Sequence, residues 1–256
     1  MKVSRSEPGH ALLTIAIPTF NNLHNLEACI KSIRGVLGPE LGRKVLIHVQ
    51  DGGSSDGTEE FLSQSEATYL TYSIERDQGV YDAMNRATSK TKTKWIFFMG
   101  GDDRLLPDFR EALKKLKGER IYYANVRYSS DDRRYDGRFT PLKLIFRNIC
   151  HQSMFFPTAV LLNRPYSLTY PIKSDWAHNI VLMKDYPFAY LALDVARFTD
   201  TGGLSSTTAD SAFEANKAKL FKEYHGYLAY YLCRVAPDIT RIFQRLTGRA
   251  KHRRPR

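Results

Sequence analysis

The sequence of 256 residues has little of what marks several large protein classes. Its three cysteines, Cys29, Cys150 and Cys233, are far apart and form no Cys-x-x-Cys pair, which argues against a disulfide framework and a zinc site. No apolar run approaches the ~20 residues that a membrane-spanning helix needs. The first ten residues are polar and contain no recognisable secretory signal, so we expect a cytoplasmic protein.

Two common nucleotide-binding motifs are also missing. The sequence contains neither a Walker lysine motif nor Gly-x-Gly-x-x-Gly, which leaves P-loop and Rossmann-type dinucleotide binding unsupported. The 16 glycines and 11 prolines are ordinary numbers and exclude collagen-like and low-complexity chains. The length suits one large domain, or one domain with an appendage.

The positive charge is concentrated at one end of the chain. The net charge is +11, of which residues 217–256, with eleven basic and two acidic residues, carry +9. Nucleic-acid proteins usually spread basic residues over the folded reading surface, whereas membrane-surface proteins can carry them on one appended segment. We therefore expect no nucleic-acid partner. Strongly salt-dependent retention of DNA by residues 217–256 alone would indicate one.

Strands and helices alternate in the first half of the chain. Short apolar runs predict strands at residues 12–17, 45–49, 69–74 and 94–99. Apolar residues at three- and four-residue steps predict a helix over 23–37, and shorter helices are expected around 61–62 and over 79–89. This alternation predicts βαβ units around a parallel sheet.

The pattern becomes mixed after residue 100. We expect helices at 109–116 and 174–183, strands at 121–126, 152–156 and 188–193, and a charged loop at 129–137. The sequence therefore predicts an α/β domain over residues 1–205. A nucleotide-binding half occupies about 11–103, a mixed half occupies 104–205, and a basic helical segment follows at 206–256.

Polar, glycine-rich or acidic residues follow each of the first four strands. The four segments are Pro18-Thr-Phe-Asn21, Asp51-Gly-Gly53, Glu75-Arg-Asp-Gln-Gly79 and Gly100-Gly-Asp-Asp103. A single aspartate after a strand is usually a turn residue or a helix cap. Because ligands of open parallel sheets bind beyond the carboxyl ends of the strands, four such segments together predict a binding site.

Asp102 and Asp103 are candidates for a metal site. Adjacent carboxylates repel each other, so a compensating positive charge is expected beside them. A divalent cation supplies that charge, and hard oxygen ligands suit Mg²⁺ or Mn²⁺. A solvated turn is the alternative.

Four motifs in order resemble those of the family 2 glycosyltransferases, which have the GT-A fold. They are Ile17-Pro-Thr-Phe-Asn21, Asp51-Gly-Gly-Ser-Ser-Asp-Gly-Thr58, Asp77-Gln-Gly-Val-Tyr-Asp-Ala-Met-Asn85 and Gly101-Asp-Asp103. The resemblance covers about residues 11–205 and is greatest to bacterial enzymes of surface-polysaccharide synthesis, including colanic-acid-type transferases. It implies a mostly parallel nucleotide-binding sheet flanked by helices, with a mixed acceptor half.

The resemblance also implies a nucleotide-sugar site. Its residues would be Thr19 and Phe20 at the base and ribose, Asp51 at the pyrimidine, Arg76 and Asp77 near ribose and diphosphate, Asn85 beside the donor, and Asp102 at ribose or metal. Asp103 would be the main metal ligand. Many relatives have Asp-x-Asp-Asp here, and Gly100 occupies the place of the first aspartate. UDP-hexose is the expected donor.

The second half would supply the acceptor site and the base. His151 and Gln152 resemble a His-Gln segment of this subgroup, and Asp175-Trp176 resembles the catalytic aspartate followed by an aromatic residue. Asp175 would act as the general base in an inverting transfer. A helix N-cap is the alternative role for it. Residues 202–205 resemble a segment that closes over the donor.

The basic segment suggests where the acceptor lies. Its apolar residues fall on one broad helical face, namely Leu220, Phe221, Tyr224, Tyr227, Leu228, Tyr231 and Val235. Such a helix can lie on the cytoplasmic face of an anionic inner membrane, and the acceptor would then be a polyprenyl-diphosphate-linked sugar rather than a free saccharide. A helix packed on the domain, or in the interface of a homodimer, is the alternative.

Two other functions remain open at this point. The chain would be a nucleotide-binding interaction protein if turnover had been lost, or a nucleotidyltransferase, which also pairs aspartate and metal at a parallel sheet. Transfer of a radiolabelled sugar to a lipid acceptor separates the glycosyltransferase from both.

Overall fold

The computed structural model describes residues 11–65, 67–200 and 209–247, with side chains up to residue 235. Its strands are β1 Leu13–Thr19, β2 Val45–Asp51, β3 Leu70–Ile74, β4 Trp95–Phe98, β5 Arg104–Leu105, β6 Ile121–Tyr128, β7 Arg134–Tyr135, β8 Met154–Pro157 and β9 Phe188–Phe198. Its helices are α1 Leu23–Leu37, α2 Thr58–Ser63, α3 Val80–Lys90, α4 Phe109–Lys115, α5 Pro141–Phe146, α6 Thr158–Asn163, α7 Ser174–Asp185 and α8 Ser211–Thr247.

One sheet runs through the domain in the order β3-β2-β1-β4-β8-β6-β9-β5, with β7 beside β6. The first four strands are parallel, and β8 is antiparallel to both of its neighbours. The predicted α/β architecture, with a parallel half and a mixed half, is therefore confirmed. The carboxyl ends of β1 to β4 meet at one edge, where the four polar segments lie.

The parallel strands are apolar because helices cover both faces of the sheet. In β1, Leu13, Ile15 and Ile17 are buried in one core cluster, and Ala16 is buried in the cluster on the other face. Helix α1 buries Leu26, Cys29, Ile30, Ile33 and Leu37. These are the three- and four-residue steps that predicted the helix, and its predicted bounds are confirmed.

Strand β5 and helices α5 and α6 were not predicted, and three other elements differ from the prediction. Strand β9 continues to Phe198, five residues past the predicted end, because it pairs with both β6 and β5. A short 3-10 turn at His151–Ser153 replaces the predicted start of β8. The charged loop contains the two-residue strand β7, which pairs with β6.

Helix α8 is divided by Gly226, whose φ of 86° is a conformation that favours glycine. Before this break, Phe213 and Phe221 are fully buried in the core cluster that also contains Ile180 of α7. After it, Tyr227 and Leu228 are exposed. The first part of the basic segment is therefore packed on the body. The predicted boundary between residues 205 and 206, the segment 202–205 and the end of the chain from residue 248 lie outside the described residues.

Across the helices that the structure describes, none combines the length and the apolar character needed to cross a bilayer.

Candidate active site

Asp51 organises the loop that follows β2. Its side chain is fully buried, and Oδ2 accepts hydrogen bonds from the backbone N–H groups of Gly53 (3.1 Å) and Ser54 (2.9 Å). The Ser54 hydroxyl donates to Oδ1. Gly53 has a φ of 89°, which a side chain would make unfavourable. The carboxylate thus holds the loop in shape from inside.

The loops after β1 and β2 are joined to each other. The N–H of Asn21 donates to the Ser54 hydroxyl (2.7 Å), and the N–H of Ser55 donates to Asn21 Oδ1 (2.9 Å). Asp56 reaches across to accept the N–H of Leu23 (2.8 Å) in the first turn of α1. Asn21 has a φ of 47°, a conformation that asparagine tolerates better than most residues. The two motifs therefore form one rigid rim.

Three predicted donor residues lie beside the glycine pair Gly52-Gly53 of this rim. A Cβ on Gly52 would lie 2.8 Å from Asp77 Oδ2 and 3.2 Å from the Phe20 ring, so the glycine permits both to approach. The Phe20 ring is 61% exposed and available for stacking. The stem of Arg76 lies beside Gly53, and its exposed guanidinium has no ion pair among the described residues.

Thr19 lies beneath this rim at the end of β1. Its carbonyl accepts the N–H of Gly52 (2.9 Å), and its buried hydroxyl has no hydrogen-bond partner within the described part of the chain. The hydroxyl lies near Gly101, where a Cβ would be 3.7 Å away. Thr19 thus connects the rim to the aspartate pair.

Gly100 accounts for the shape of the aspartate pair. A Cβ on this residue would lie 2.7 Å from Asp102 Oδ1 and 2.8 Å from Asp103 Oδ2, closer than real Cβ atoms come. Both carboxylates therefore fold back over the glycine. An aspartate at position 100 would require a different arrangement of this turn.

The two carboxylates have different surroundings. Asp103 is fully buried, and its oxygens accept the N–H groups of Gly100 (2.8 Å) and Thr199 (3.0 Å). Burial, with a smaller contribution from Asp102, raises the pKa of Asp103 to about 6. Asp102 is partly exposed and faces a polar cleft of about 500 Å³. The cleft is also lined by Asn22, Asn25, Arg104, Ser129, Arg197 and Thr199.

Asp175 lies in the first turn of α7, where Lys173 and not Asp175 is the N-cap residue. Its Oδ1 accepts the N–H of Trp176 (2.8 Å) and shares the single proton of the Tyr81 hydroxyl (2.9 Å) with the carbonyl of Ile172 (2.8 Å). Its Oδ2 accepts the amide of Asn148 (2.8 Å). The helix-cap alternative therefore explains only one of its contacts. Tyr81 and Asn148 hold this carboxylate from two other segments of the chain.

His151 lies between the two acidic sites. Its Nδ1 is 3.4 Å from Asp175 Oδ2. When protonated, His151 would lower the pKa of Asp103 slightly against the larger effect of burial. A carboxylate has about four lone-pair positions. Tyr81, Trp176 and Asn148 contact three of those on Asp175, and His151 Nδ1 faces the fourth at the longer distance.

The side chains of the other two predicted acceptor residues, Gln152 and Trp176, make their contacts elsewhere. Gln152 is 5% exposed, and its Oε1 accepts the Cys150 thiol. The Trp176 indole donates to the Leu144 carbonyl (2.8 Å), and its ring packs against the C-terminal helix. We infer that Gln152 and Trp176 stabilise the acceptor half through these contacts and do not touch the acceptor themselves.

Asn85 does not face the donor loops. Its Nδ2 donates to the carbonyl of Tyr166 (2.9 Å), and its Oδ1 accepts the N–H of the same residue (2.9 Å). Both ends of the amide are therefore occupied by one backbone unit, and we leave Asn85 out of the proposed donor site.

Sequence reasoning missed Tyr81, Asn148 and Thr199. Tyr81 lies inside the quoted motif at 77–85, but nothing local indicates that its hydroxyl reaches Asp175. Thr199 contacts Asp103 only because β9 is longer than predicted. In the part of the chain that the structure describes, no group of three or more His, Cys, Asp or Glu side chains forms a metal cluster.

The fold and this arrangement of loops are those of a GT-A glycosyltransferase, and the comparison with protein families agrees. The chain belongs to the family described as "Glycosyl transferase family 2", which matches residues 14–177.

Among curated proteins, it is similar to a "PGL/p-HBAD biosynthesis glycosyltransferase" of Mycobacterium bovis, with 34% identity over 214 residues that cover 79% of this chain and 82% of that protein. A protein of the same description from Mycobacterium tuberculosis matches equally well.

Two solved structures share the fold. S. aureus TarS in complex with UDP has a TM-score of 0.65 and 14% identity, over 83% of this chain and 65% of that one. A mannosyltransferase from Pyrobaculum calidifontis, in complex with GDP-Man and Mn²⁺, has a TM-score of 0.60 and 16% identity, over 87% of this chain and 65% of that one.

Proposed function

We propose that this glycosyltransferase moves a sugar from a nucleotide-sugar donor to an acceptor hydroxyl, with inversion at the anomeric carbon. The observation that carries the proposal is the position of Asp175. This carboxylate is held by donors from separate segments, and its Oδ2 faces His151 Nδ1 at 3.4 Å, on the side where the resemblance places the acceptor.

The donor lies on the joined loops after β1, β2 and β3. The exposed Phe20 ring stacks on the base or ribose, and the unpaired Arg76 guanidinium pairs with the diphosphate. Asp51 acts mainly by fixing the backbone N–H groups of its own loop. Asp77 lies at the ribose, next to the opening that Gly52 leaves.

The two aspartates fit a divalent cation, and we propose Asp102 as its main ligand. Both oxygens of Asp103 already accept backbone N–H groups, whereas Asp102 faces the polar cleft. This reverses the order expected from the sequence. Mg²⁺ or Mn²⁺ held there would offset the charge that develops on the leaving diphosphate.

Asp175 accepts the proton of the acceptor hydroxyl as that hydroxyl attacks the sugar. A neutral alcohol is a poor nucleophile, and a positioned base contributes about 10²–10⁴-fold to the rate. Tyr81 and Asn148 fix the direction of the carboxylate, and His151 lines the path by which the hydroxyl reaches it.

For the donor we propose a UDP-hexose, and for the acceptor a saccharide or a polyprenyl-diphosphate-linked sugar in bacterial surface-polysaccharide synthesis at the cytoplasmic face of the inner membrane. Structures of TarS with UDP and with UDP-GlcNAc support this nucleotide. The names of the curated relatives place those proteins in PGL/p-HBAD biosynthesis, so acceptors from that biosynthesis should be screened as well.

The test is a thermal-shift screen of UDP-, GDP- and dTDP-sugars with Mn²⁺, followed by an assay of transfer and of product anomeric configuration. A ligand specific to the folded state stabilises it by about 2.7 kcal/mol at a hundred times its Kd. We expect a UDP-sugar to raise Tm most and the product to be inverted. A retained configuration, or no response to any nucleotide sugar, would overturn the proposal.

A further inference from the structure

Exposed apolar side chains are concentrated on two neighbouring helices. In the described part of the chain eleven large hydrophobic side chains are exposed, and six of them lie on α5 or on α8 after Gly226. We call these six the apolar face: Leu142, Phe146, Tyr227, Leu228, Tyr231 and Val235. The two helices border one cleft of about 460 Å³, which Phe146, Tyr230 and Arg234 line.

The break at Gly226 separates a packed segment from this exposed one. Phe213 and Phe221 are fully buried before it, whereas Tyr227, Leu228 and Tyr231 are 62%, 75% and 61% exposed after it. Apolar side chains grouped in this way on a soluble surface mark an interaction site.

Unpaired cations border the same face. Lys217, Lys219, Lys222 and Arg234 form no ion pair with a carboxylate among the described residues. Lys217 lies over the Trp176 ring at 3.8 Å and lines the cleft, and Arg234 donates to the Tyr230 hydroxyl. The sequence after them remains basic, with seven basic residues and one acidic residue over 235–256.

We propose that the apolar face docks on a bilayer that carries anionic headgroups, with these four cations at the phosphates. Aromatic and aliphatic side chains enter the interface while Lys and Arg meet the lipid phosphates. A second copy of the chain fits less well, because a symmetric dimer would place the same cations opposite each other.

The location of the face deepens the proposed function, on which this part of the inference rests. Helix α5 leads through Arg147 to Asn148, whose amide holds Asp175. A bilayer on this face would therefore lie on the acceptor side of the site. An acceptor anchored in that bilayer would need only a short reach to the base.

Flotation of the full chain with vesicles tests the inference. We expect binding to phosphatidylcholine vesicles that contain phosphatidylglycerol, and little binding to phosphatidylcholine alone. The double variant Leu228→Ser/Tyr231→Ser should weaken binding at least about tenfold, since it removes two side chains that the interface would bury. The matched control Leu162→Ser/Leu168→Ser removes two exposed leucines elsewhere and should bind normally.

Charge is tested separately, by comparing Lys219→Gln/Lys222→Gln with the exposed control Lys92→Gln. Only the first variant should lose affinity for anionic vesicles. Equal binding to neutral vesicles, or equal loss in the controls, would overturn the inference. The inference would also be overturned if the wild type formed a dimer and bound no vesicles, and if Leu228→Ser/Tyr231→Ser converted that dimer to a monomer. UDP affinity is measured on the same samples, because intact UDP binding without vesicle binding overturns the membrane inference and leaves the proposed function standing.

Discussion

The donor half and the acceptor half of this enzyme are built in different ways. In the donor half, each motif follows a strand and makes its own loop, as Asp51 does with Gly53 and Ser54. In the acceptor half, Asp175 lies in a helix and depends on Tyr81 and Asn148, which are 94 and 27 residues away in the sequence. Local motifs therefore make the proposed donor surface, whereas the proposed base is positioned by tertiary contacts.

The largest effect should come from the acceptor half. Asp175→Asn keeps the shape of the side chain but cannot accept a proton, so transfer should fall by about 10²–10⁴-fold. Asparagine suits the start of a helix as well as aspartate does, so a merely structural Asp175 would leave the variant active. The measurement is the initial rate at saturating donor, with Tm recorded beside it.

A smaller loss is expected when Asp175 keeps its charge but loses a support. Tyr81→Phe removes a hydrogen bond to a carboxylate, a contact usually worth about 1.5–3 kcal/mol, and should lower kcat about tenfold or more with little change in the KM for the donor. Tyr123→Phe is the control, because its hydroxyl accepts the N–H of Phe139 far from the base. Equal kcat losses in both variants would show that Tyr81 acts only through stability.

Replacing one hydrogen atom of Gly100 with a methyl group should disturb the proposed donor site. Gly100→Ala places a Cβ within 2.7–2.8 Å of the Asp102 and Asp103 carboxylates and should weaken binding of UDP with Mn²⁺ about tenfold. Gly35→Ala is the control, since nothing lies within 4 Å of its Cβ and alanine favours the helix. Unchanged UDP affinity in Gly100→Ala would show that the turn tolerates another arrangement.

The smallest effect concerns stability and pH. Burial lowers the pKa of His48 to about 4, whereas an unfolded histidine titrates near 6.5. Between these values the unfolded chain binds the additional proton, so stability is full above pH 6.5 and is lost as the pH falls toward 4. His48 should contribute about 2 kcal/mol of this loss between pH 7 and 5.

Urea unfolding at the two pH values measures that contribution. His48→Gln should reduce the pH dependence, whereas the exposed His24→Gln should leave it unchanged. An identical pH dependence in the wild type and in His48→Gln would contradict the assignment.

Much of the donor half could be predicted from the sequence, because strand ends and loop motifs are local. Phe20, Asp51, Arg76 and Asp77 were expected together, and the structure brings them around Gly52 and Gly53. The sequence could not show which of Asp102 and Asp103 is the better placed metal ligand. Asp103 Oδ1 accepts the N–H of Thr199, which is 96 residues away in the sequence and follows directly after the longer β9.

The acceptor half was predictable only in part. A helix beginning at Ser174 follows from its local pattern, whereas the contacts of Asp175 with Tyr81 and Asn148 depend on how α3, α5 and α7 pack. The same limit applies to Asn85, which lies in a donor motif but holds the backbone of Tyr166. Spacing indicates which residues share an element, and packing decides which atoms meet.

The most direct test of the division between the two halves is calorimetry of UDP with Mn²⁺ on Asp102→Asn and Asp175→Asn, side by side. We predict that Asp102→Asn loses about 10–100-fold in affinity, the usual weight of a contact to a charged group, while Asp175→Asn binds UDP as the wild type does. Loss of UDP affinity in Asp175→Asn with normal binding in Asp102→Asn would contradict the account.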